Sequence, residues 1–244
     1  MKNKDSAVAT AKQIFEDRYK GATVAFCAGS YIRGEATEYS DIDLVVLYPC
    51  VDCAWRESFV FNGWPVEAFI HDPDTLRYFF SEVDIPSGVP SLPNMVAEGV
   101  QVPHECVDGA VFKTLARELL ERGPAPLSED TDRNIRYNIT DLVDDLRNPR
   151  SKSEAISTGV RLYEVLANYY LRSRKIWSAS GKSIPRRLRS VDAEIARKFE
   201  SGFENLFSNG IADEDILLTQ ELVAPHGGFN FDGYKRIAPK EWRE

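Results

Sequence analysis

The spacing of the hydrophobic residues changes near residue 105, and this change divides the chain into two parts. Before that point the apolar residues mostly form short runs that are typical of buried strands, with an amphipathic helix ahead of them. Beyond it they recur every three to four residues, as in helices that bury one face. The pattern therefore predicts two domains, residues 1–104 built on a β-sheet and residues 105–244 built of helices.

The first part is predicted to be a compact unit of helices and strands. Its predicted helices cover residues 5–19 and 74–83, and its predicted strands lie near residues 22–28, 41–48, 55–61 and 65–71. Asn62-Gly63, between the last two strands, is typical of a two-residue hairpin turn. Pro65 places the second arm of this hairpin at or near a sheet edge, because proline donates no hydrogen bond to a neighbouring strand.

Residues 84–103 are rich in proline and glycine, which favours irregular structure. We expect a long ordered loop here, with at most one helical turn around residues 94–98. Because long loops without regular structure tend to be functional, we expect this one to lie beside a substrate pocket.

The second part is predicted to be entirely helical. Its predicted helices cover residues 108–121, 128–146, 151–177, 184–189, 192–208 and 212–224, and the last twenty residues, which include Pro239, are expected to be coil. Ser128 and Ser151 are typical N-cap residues. The fold class is therefore α/β (α+β), with a mixed N-terminal sheet followed by a helical bundle.

Two aspartates begin the strand predicted at residues 41–48. Positions two apart on a strand share a face, so Asp41 and Asp43 point one way while Ile42 and Leu44 point into the core. Neighbouring carboxylates repel each other by roughly 1–4 kcal/mol unless a cation lies between them. A hard divalent metal is the simplest explanation, and Mg²⁺ with a nucleoside triphosphate fits best.

A glycine-serine turn follows the first predicted strand. Glycine lets the backbone come close to a ligand, and a serine that opens a helical turn offers its hydroxyl and nearby N–H groups to anions. Gly29 and Ser30 are therefore candidates for phosphate binding. A lone Asp-x-Asp or a lone Gly-Ser is usually structural, so the prediction of a metal and phosphate site depends on finding both motifs together.

Gly29-Ser30, Arg33-Gly34 and Ser40-Asp41-Ile42-Asp43-Leu44, in this order between two strands, resemble the signature of the DNA polymerase β nucleotidyltransferase superfamily. Its small bacterial members include the kanamycin and streptomycin adenylyltransferases. The resemblance implies transfer of a nucleoside monophosphate, AMP from ATP, to a hydroxyl of a small acceptor such as an aminoglycoside-like compound, with release of pyrophosphate. It implies a two-metal Mg²⁺ site and assigns Gly29, Ser30, Arg33 and Ser40 to nucleotide binding.

The same resemblance requires a third acidic residue on a later strand, and the Val66-Glu67-Ala68-Phe69 stretch supplies it. If the hairpin loop has two residues, Ser58 lies opposite Glu67. Glu67 is then predicted to join Asp41 and Asp43 as a metal ligand and catalytic residue. The alternative is an exposed glutamate on a half-buried hairpin.

Candidate residues in the second part are less well defined. Asp141 and Asp145 share a face of one predicted helix, and either is a candidate general base, since a helical-domain carboxylate has that role in the kanamycin enzyme. Lys182, in a basic stretch of an otherwise acidic chain, is predicted to reach the outer phosphates across the cleft between the domains. Ordinary solvent-exposed charge is the alternative for all three.

Composition narrows the possible partners. The 244-residue chain carries a formal net charge of −8, which argues against general nucleic-acid binding and suits a small or cationic acceptor. The N-terminal residues do not resemble a signal peptide and no apolar run is long enough to span a membrane, so we expect a cytoplasmic protein. The sequence does not decide the oligomeric state, and a homodimer is one possibility. Cys50 and Cys53 form a lone Cys-x-x-Cys pair, which is weak evidence for zinc.

Two alternatives to a small-molecule enzyme follow from the same residues. One is a non-catalytic nucleotide-binding or antitoxin-type partner protein, which the presence of all three acids disfavours. The other is a transferase that acts on protein or RNA, where the acidic composition disfavours RNA more than protein.

Overall fold

The computed structural model describes residues 2–238 and divides the chain into two compact units, Met1–Pro124 and Ala125–Glu244. The first unit contains five strands, and the second is built of helices. This confirms the predicted fold class of a mixed sheet followed by a helical region. In the part of the chain described, no helix is both long and apolar enough to cross a membrane.

The first unit contains these strands and helices: α1 (Lys4–Arg18), β1 (Val24–Ala28), α2 (Ser30–Arg33), β2 (Ile42–Leu47), β3 (Trp55–Phe61), β4 (Trp64–His71), α3 (Pro73–Tyr78), α4 (Ile85–Ser87), α5 (Ser91–Glu98), β5 (Val100–Val102) and α6 (Val107–Arg122). A π-helical segment, Phe79–Asp84, links α3 to α4. The helices and strands predicted up to residue 83 are thus confirmed to within a few residues. Helix α3 begins at Pro73, one residue before the predicted start, and its N-cap Asp72 accepts a hydrogen bond from the Thr75 N–H.

The strands form one sheet in the order β3-β4-β2-β1-β5. Strands β2 and β4 are parallel, and the other neighbours are antiparallel, so the sheet is mixed. The hairpin between β3 and β4 turns on Asn62 and Gly63, both with positive φ, as a two-residue turn of this kind requires. Ser58 pairs with Glu67 as predicted, and β4 lies next to the edge strand β3.

Alternation along the strands gives the sheet two faces. One face packs on α1 through a core of small and branched residues from β1, β2 and β4, including Ala25, Leu44, Val46, Ala68 and Ile70. Helices α5 and α6 contact β1, and α5 also contacts β2. The acidic side chains discussed below lie on the face opposite to Leu44 and Ala68.

The expectation of a long loop over residues 84–103 is wrong. The segment contains α4, α5 and β5, because its prolines occupy positions that helices accept. Pro86 and Pro93 lie in the first turns of α4 and α5, where a backbone N–H has no partner within the helix. Strand β5 pairs with β1 over three residues, too short a stretch to show a periodic pattern.

The second unit contains α7 (Glu129–Arg147), α8 (Lys152–Arg172), α9 (Ile184–Val191), α10 (Ala193–Asn209) and α11 (Asp213–Val223). They enclose one core, in which Leu162, Leu166, Phe199 and Leu206 are fully buried. Ser128 and Ser151 cap α7 and α8 as predicted, although α8 ends at Arg172 and not near residue 177. From Gly227 to residue 238 the chain forms no helix or strand, and Pro239 lies outside the described residues.

Along the sequence, the boundary between the two units lies about twenty residues after the predicted boundary near residue 105. The difference is α6, which packs on α5 and β1 and so belongs to the first unit. Because α6 has helical periodicity, the sequence analysis assigned it to the second part of the chain. Which residues form each functional domain stays a prediction.

Candidate active site

Three carboxylates lie together where β2 and β4 run side by side. Parallel pairing places Asp43 beside Glu67, and both side chains occupy the sheet face opposite to Leu44 and Ala68. Asp41 immediately precedes β2. One oxygen atom from each of the three carboxylates lies within 4.8 Å of the other two. In the described residues this is the one group of three or more such side chains that suits a metal ion.

The electrostatics of this acid cluster (Asp41, Asp43 and Glu67) favour a bound cation. Burial, together with the charges of Asp41 and Glu67, raises the pKa of Asp43 to about 6. Glu67 forms an ion pair with Arg56, which therefore offsets part of the negative charge. Carboxylate oxygens are the ligands that Mg²⁺ prefers, so the chemistry of the donor set fits a hard divalent ion.

Gly29 is in direct contact with the acid cluster. A Cβ atom added to Gly29 would lie 2.0 Å from Asp43 Oδ2, and the φ of +86° is one that favours glycine. Gly29 precedes α2, which begins at Ser30. The glycine therefore allows the turn after β1 and the Asp43 carboxylate to occupy adjoining space.

The turn after β1 already holds an anionic group. Glu98 Oε1 accepts a hydrogen bond from the Gly29 N–H at 3.2 Å and lies 2.5 Å from Arg33 Nη1. Arg33 also pairs with Glu35 at 3.1 Å. The donors on this turn thus bind a carboxylate, and a phosphate oxygen has the same charge and hydrogen-bonding requirement.

Ser40 has a local structural contact. Its hydroxyl accepts a hydrogen bond from the Thr37 N–H at 2.8 Å and closes the turn that leads into β2. This turn positions Asp41, which immediately precedes β2. Nucleotide binding by Ser30, Arg33 and Ser40 stays a prediction.

Asp141, Asp145 and Lys182 lie in the second unit. The two aspartates are exposed on α7, and Lys182 is exposed in a short 3₁₀ turn, Gly181–Ser183. Arg136, which lies on α7 with the two aspartates, forms an ion pair with Asp132 at 2.9 Å. The roles of Asp141 and Asp145 as general base and of Lys182 in phosphate binding stay predictions.

The cysteines add no cluster of metal ligands in the described part of the chain. Cys50 and Cys53 are exposed and free. Cys106 caps α6 by accepting a hydrogen bond from the Gly109 N–H. These contacts give no support to a zinc site.

The sequence analysis missed two residues that contact the site. Arg56 lies opposite Phe69 on the hairpin, hence diagonally next to Glu67, and the register predicted from Asn62-Gly63 contains this neighbour. Glu98 stands 69 positions after Gly29. It lies in the segment predicted to be a loop, and no local signal in the sequence connects it to Gly29.

Residues 8–77 match the family model described as "Nucleotidyltransferase domain". The matched region includes the acid cluster and the turn at Gly29, and it supports nucleotidyl transfer as the general class of chemistry. No curated protein matches the chain.

A solved structure, that of a nucleotidyltransferase-like protein from Exiguobacterium sibiricum 255-15, has 14% sequence identity to this chain. The likeness covers 86% of this chain and 70% of that one, with a TM-score of 0.43.

The contact between Gly29 and Asp43 predicts that Gly29→Ala disrupts the acid cluster. The new Cβ clashes with Asp43 Oδ2, so we expect loss of Mg²⁺ binding and a loss of roughly 1–3 kcal/mol in the free energy of unfolding. Gly21→Ala is a matched control, since Gly21 has a φ of +88° with nothing within 4 Å of its added Cβ. Chemical unfolding and Mg²⁺-dependent changes in Tm measure both effects, and equal behaviour of the two variants would contradict the prediction.

The raised pKa of Asp43 predicts that its charge destabilises the metal-free protein. A folded-state pKa of about 6 exceeds the value of about 3.9 for a free aspartate, so this group stabilises the fold below pH ~4 and loses that contribution as the pH rises through 6. In EDTA at pH 7.5, Asp43→Asn should therefore raise Tm by a few degrees, and the gain should shrink toward pH 4.5.

Mg²⁺ should raise the Tm of the wild-type protein and leave that of Asp43→Asn nearly unchanged. Asp52→Asn, which removes an exposed aspartate outside the cluster, is the control and should respond as the wild type does. A variant Asp43→Asn that is less stable than the wild type in EDTA at pH 7.5 would refute the electrostatic interpretation.

Proposed function

We propose that this protein is a metal-dependent nucleotidyltransferase that moves AMP from ATP to a hydroxyl of a small-molecule acceptor. The observation that carries this proposal is the convergence of Asp41, Asp43 and Glu67 beside the turn at Gly29. The family match over residues 8–77 supports the general class of reaction. The choice of ATP and of a small acceptor goes beyond that match.

Asp41 and Asp43 would hold Mg²⁺ against the triphosphate, and Glu67 would complete a second metal site or accept the hydroxyl proton. When bound, the metal neutralises charge on the phosphates and favours ionisation of the attacking hydroxyl. Arg56 pairs with Glu67 and would have to release it for Glu67 to bind a metal ion. Three carboxylates within one small cluster supply the negative charge that such an ion requires.

In this reaction the acceptor oxygen forms a bond to the α-phosphorus as the bond to the β-phosphate oxygen breaks. Pyrophosphate leaves with the electron pair of that bond, and the hydroxyl proton passes to Glu67 or to a carboxylate of the second unit, Asp141 or Asp145. Gly29, Ser30 and Arg33 would hold the outer phosphates, with Lys182 as a further contact. Ser40 would support the turn that presents Asp41.

A small acceptor is favoured over a nucleic acid by the overall charge of the chain. At a formal net charge of −8, the protein repels a polyanion unless a strong basic surface opposes that charge. A neutral or cationic small molecule meets no such barrier.

Transfer is tested by incubating the protein with Mg²⁺, α-labelled ATP and a small-molecule extract or whole lysate, followed by size separation of the label. We expect label on small molecules, and competition with unlabelled GTP, CTP and UTP tests the preference for ATP. Label on protein or RNA would identify a macromolecular acceptor, and no transfer with any nucleotide would leave the binding-protein alternative.

Asp43→Ala should abolish this transfer, by a factor of about 10² or more, because it removes a metal ligand without disturbing the strand. Asp52→Ala, at an exposed position, is the control and should keep wild-type activity. Circular dichroism verifies that both variants are folded. Full activity in Asp43→Ala would refute the proposed function.

The contact of Glu98 with the turn predicts a change in nucleotide affinity. If phosphate replaces Glu98 at Gly29 and Arg33, then Glu98→Ala removes a competing anion and lowers KM for ATP several-fold with little change in kcat. Glu35→Ala removes the other carboxylate at Arg33 and leaves the Gly29 N–H occupied, so it should change KM less. A higher KM in Glu98→Ala would show that Glu98 instead positions Arg33.

A further inference from the structure

A cavity of about 550 Å³ lies next to the acid cluster in the first unit. Glu67 forms part of its wall. The other walls come from the β3–β4 hairpin, the π-helical segment and the start of α5, and they are mainly apolar, with Phe69, Phe79, Val83, Leu92 and Met95. A volume of this size suits a ligand of a few hundred daltons.

Two polar side chains in the cavity wall have hydrogen-bonding capacity that the protein does not use. Asp84 is 95% buried, and while its Oδ1 accepts a hydrogen bond from the Ser91 N–H, its Oδ2 has no partner. His71 is 97% buried and its Nδ1 has no partner. Buried polar atoms without partners are costly, so a ligand group that pairs with them recovers free energy.

Burial sets the protonation of both groups. It raises the pKa of Asp84 to about 6 and lowers the pKa of His71 to about 4, so near pH 7.5 Asp84 is mostly ionised and His71 is neutral. Both atoms without a partner are shielded from water, and both belong to residues of the cavity wall. An amine is the group that gains most beside a desolvated carboxylate.

The position of the cavity relative to the sheet indicates which substrate it holds. The turn at Gly29 follows β1, whereas the cavity is built on β3 and β4, so they lie on opposite sides of Asp43 on β2. In phosphoryl transfer the attacking and leaving oxygens are roughly in line. If the turn binds the outer phosphates that leave, the attacking hydroxyl enters from the side of β4.

We infer that this cavity is the acceptor site and that it takes a small molecule with an apolar, ring-sized body, an amine directed at Asp84 and a reacting hydroxyl near Glu67. This inference rests on the proposed function. A polycationic aminosugar fits the walls poorly, because its many hydrated groups would lose water against Phe69, Phe79 and Leu92.

Binding is tested without nucleotide or metal, so that it does not depend on catalysis. We would titrate 2-amino-1-phenylethanol, which has the inferred groups, into the full chain in EDTA and follow binding by calorimetry. We expect saturable binding, at least tenfold weaker binding of benzyl alcohol, which lacks the amine, and still weaker binding of glucosamine, which lacks the apolar body. Tighter binding of glucosamine, or no binding of the amino alcohol, would overturn the inference.

Two variants locate the bound molecule. Asp84→Asn keeps the acceptor for the Ser91 N–H and should weaken binding at least tenfold, whereas Asp74→Asn, at a side chain 96% exposed, should leave it unchanged. Val83→Trp fills the cavity from a position that is 42% exposed, so it should fold and block binding. Unchanged binding in both cavity variants would overturn the assignment.

Two further measurements separate this inference from the proposed function. Adenosine should not displace the amino alcohol, and displacement would show that the cavity holds the base and overturn its assignment to the acceptor. In the transfer assay, Val83→Trp should reduce label transfer and leave KM for ATP unchanged, and normal transfer in this variant would also overturn it. Saturable binding without transfer from any nucleotide would refute both the proposed function and the acceptor role, leaving a small-molecule site.

Discussion

The pairing of β2 with β4 is the constraint on which the site depends. Parallel register places Asp43 beside Glu67, and the hydrogen bonds and buried apolar face of the sheet hold the two carboxylates together against their repulsion. A slip of one residue would turn Glu67 into the core and Ala68 toward Asp43. The hydrophobic core thus stabilises an arrangement of charge that the acids alone would not adopt, and burial of Asp43 leaves it with a raised pKa.

The features of the site that sequence could predict are those specified by short stretches of chain. Alternation around Asp41 and Asp43 predicts their common face, and Asn62-Gly63 predicts the hairpin register that pairs Ser58 with Glu67. The remaining features depend on contacts between distant segments. Glu98 reaches Gly29 and Arg33 only once α5 has packed on the sheet. The prolines and glycines near Glu98 suggested a loop, because the packing of α5 decides whether each of them lies at a position that a helix accepts.

The Gly29–Asp43 contact and the Glu98 hydrogen bonds make the turn and the acid cluster parts of one structure. Asp43 Oδ2 occupies the space that a side chain at position 29 would need, while Glu98 holds the N–H of the same residue. Both contacts place anionic oxygen atoms close to the backbone at one point of the sheet. Substitution at position 29 therefore affects the Asp43 carboxylate and the hydrogen bond to Glu98 together, and these contacts join the two sequence signals in space.

Apart from Glu67, the walls of the cavity come from residues outside the acid cluster and the turn at Gly29. The β3–β4 hairpin and residues 79–95 supply them, and all of the latter segment lies beyond residue 77, where the family match ends. Connecting segments tolerate substitution better than the paired strands that carry the acids, so wall residues within 79–95 are less constrained than those on β4. Descendants of this chain could consequently diverge in the shape and polarity of this cavity by exchanging a few residues of that segment, while inheriting an unaltered acid cluster.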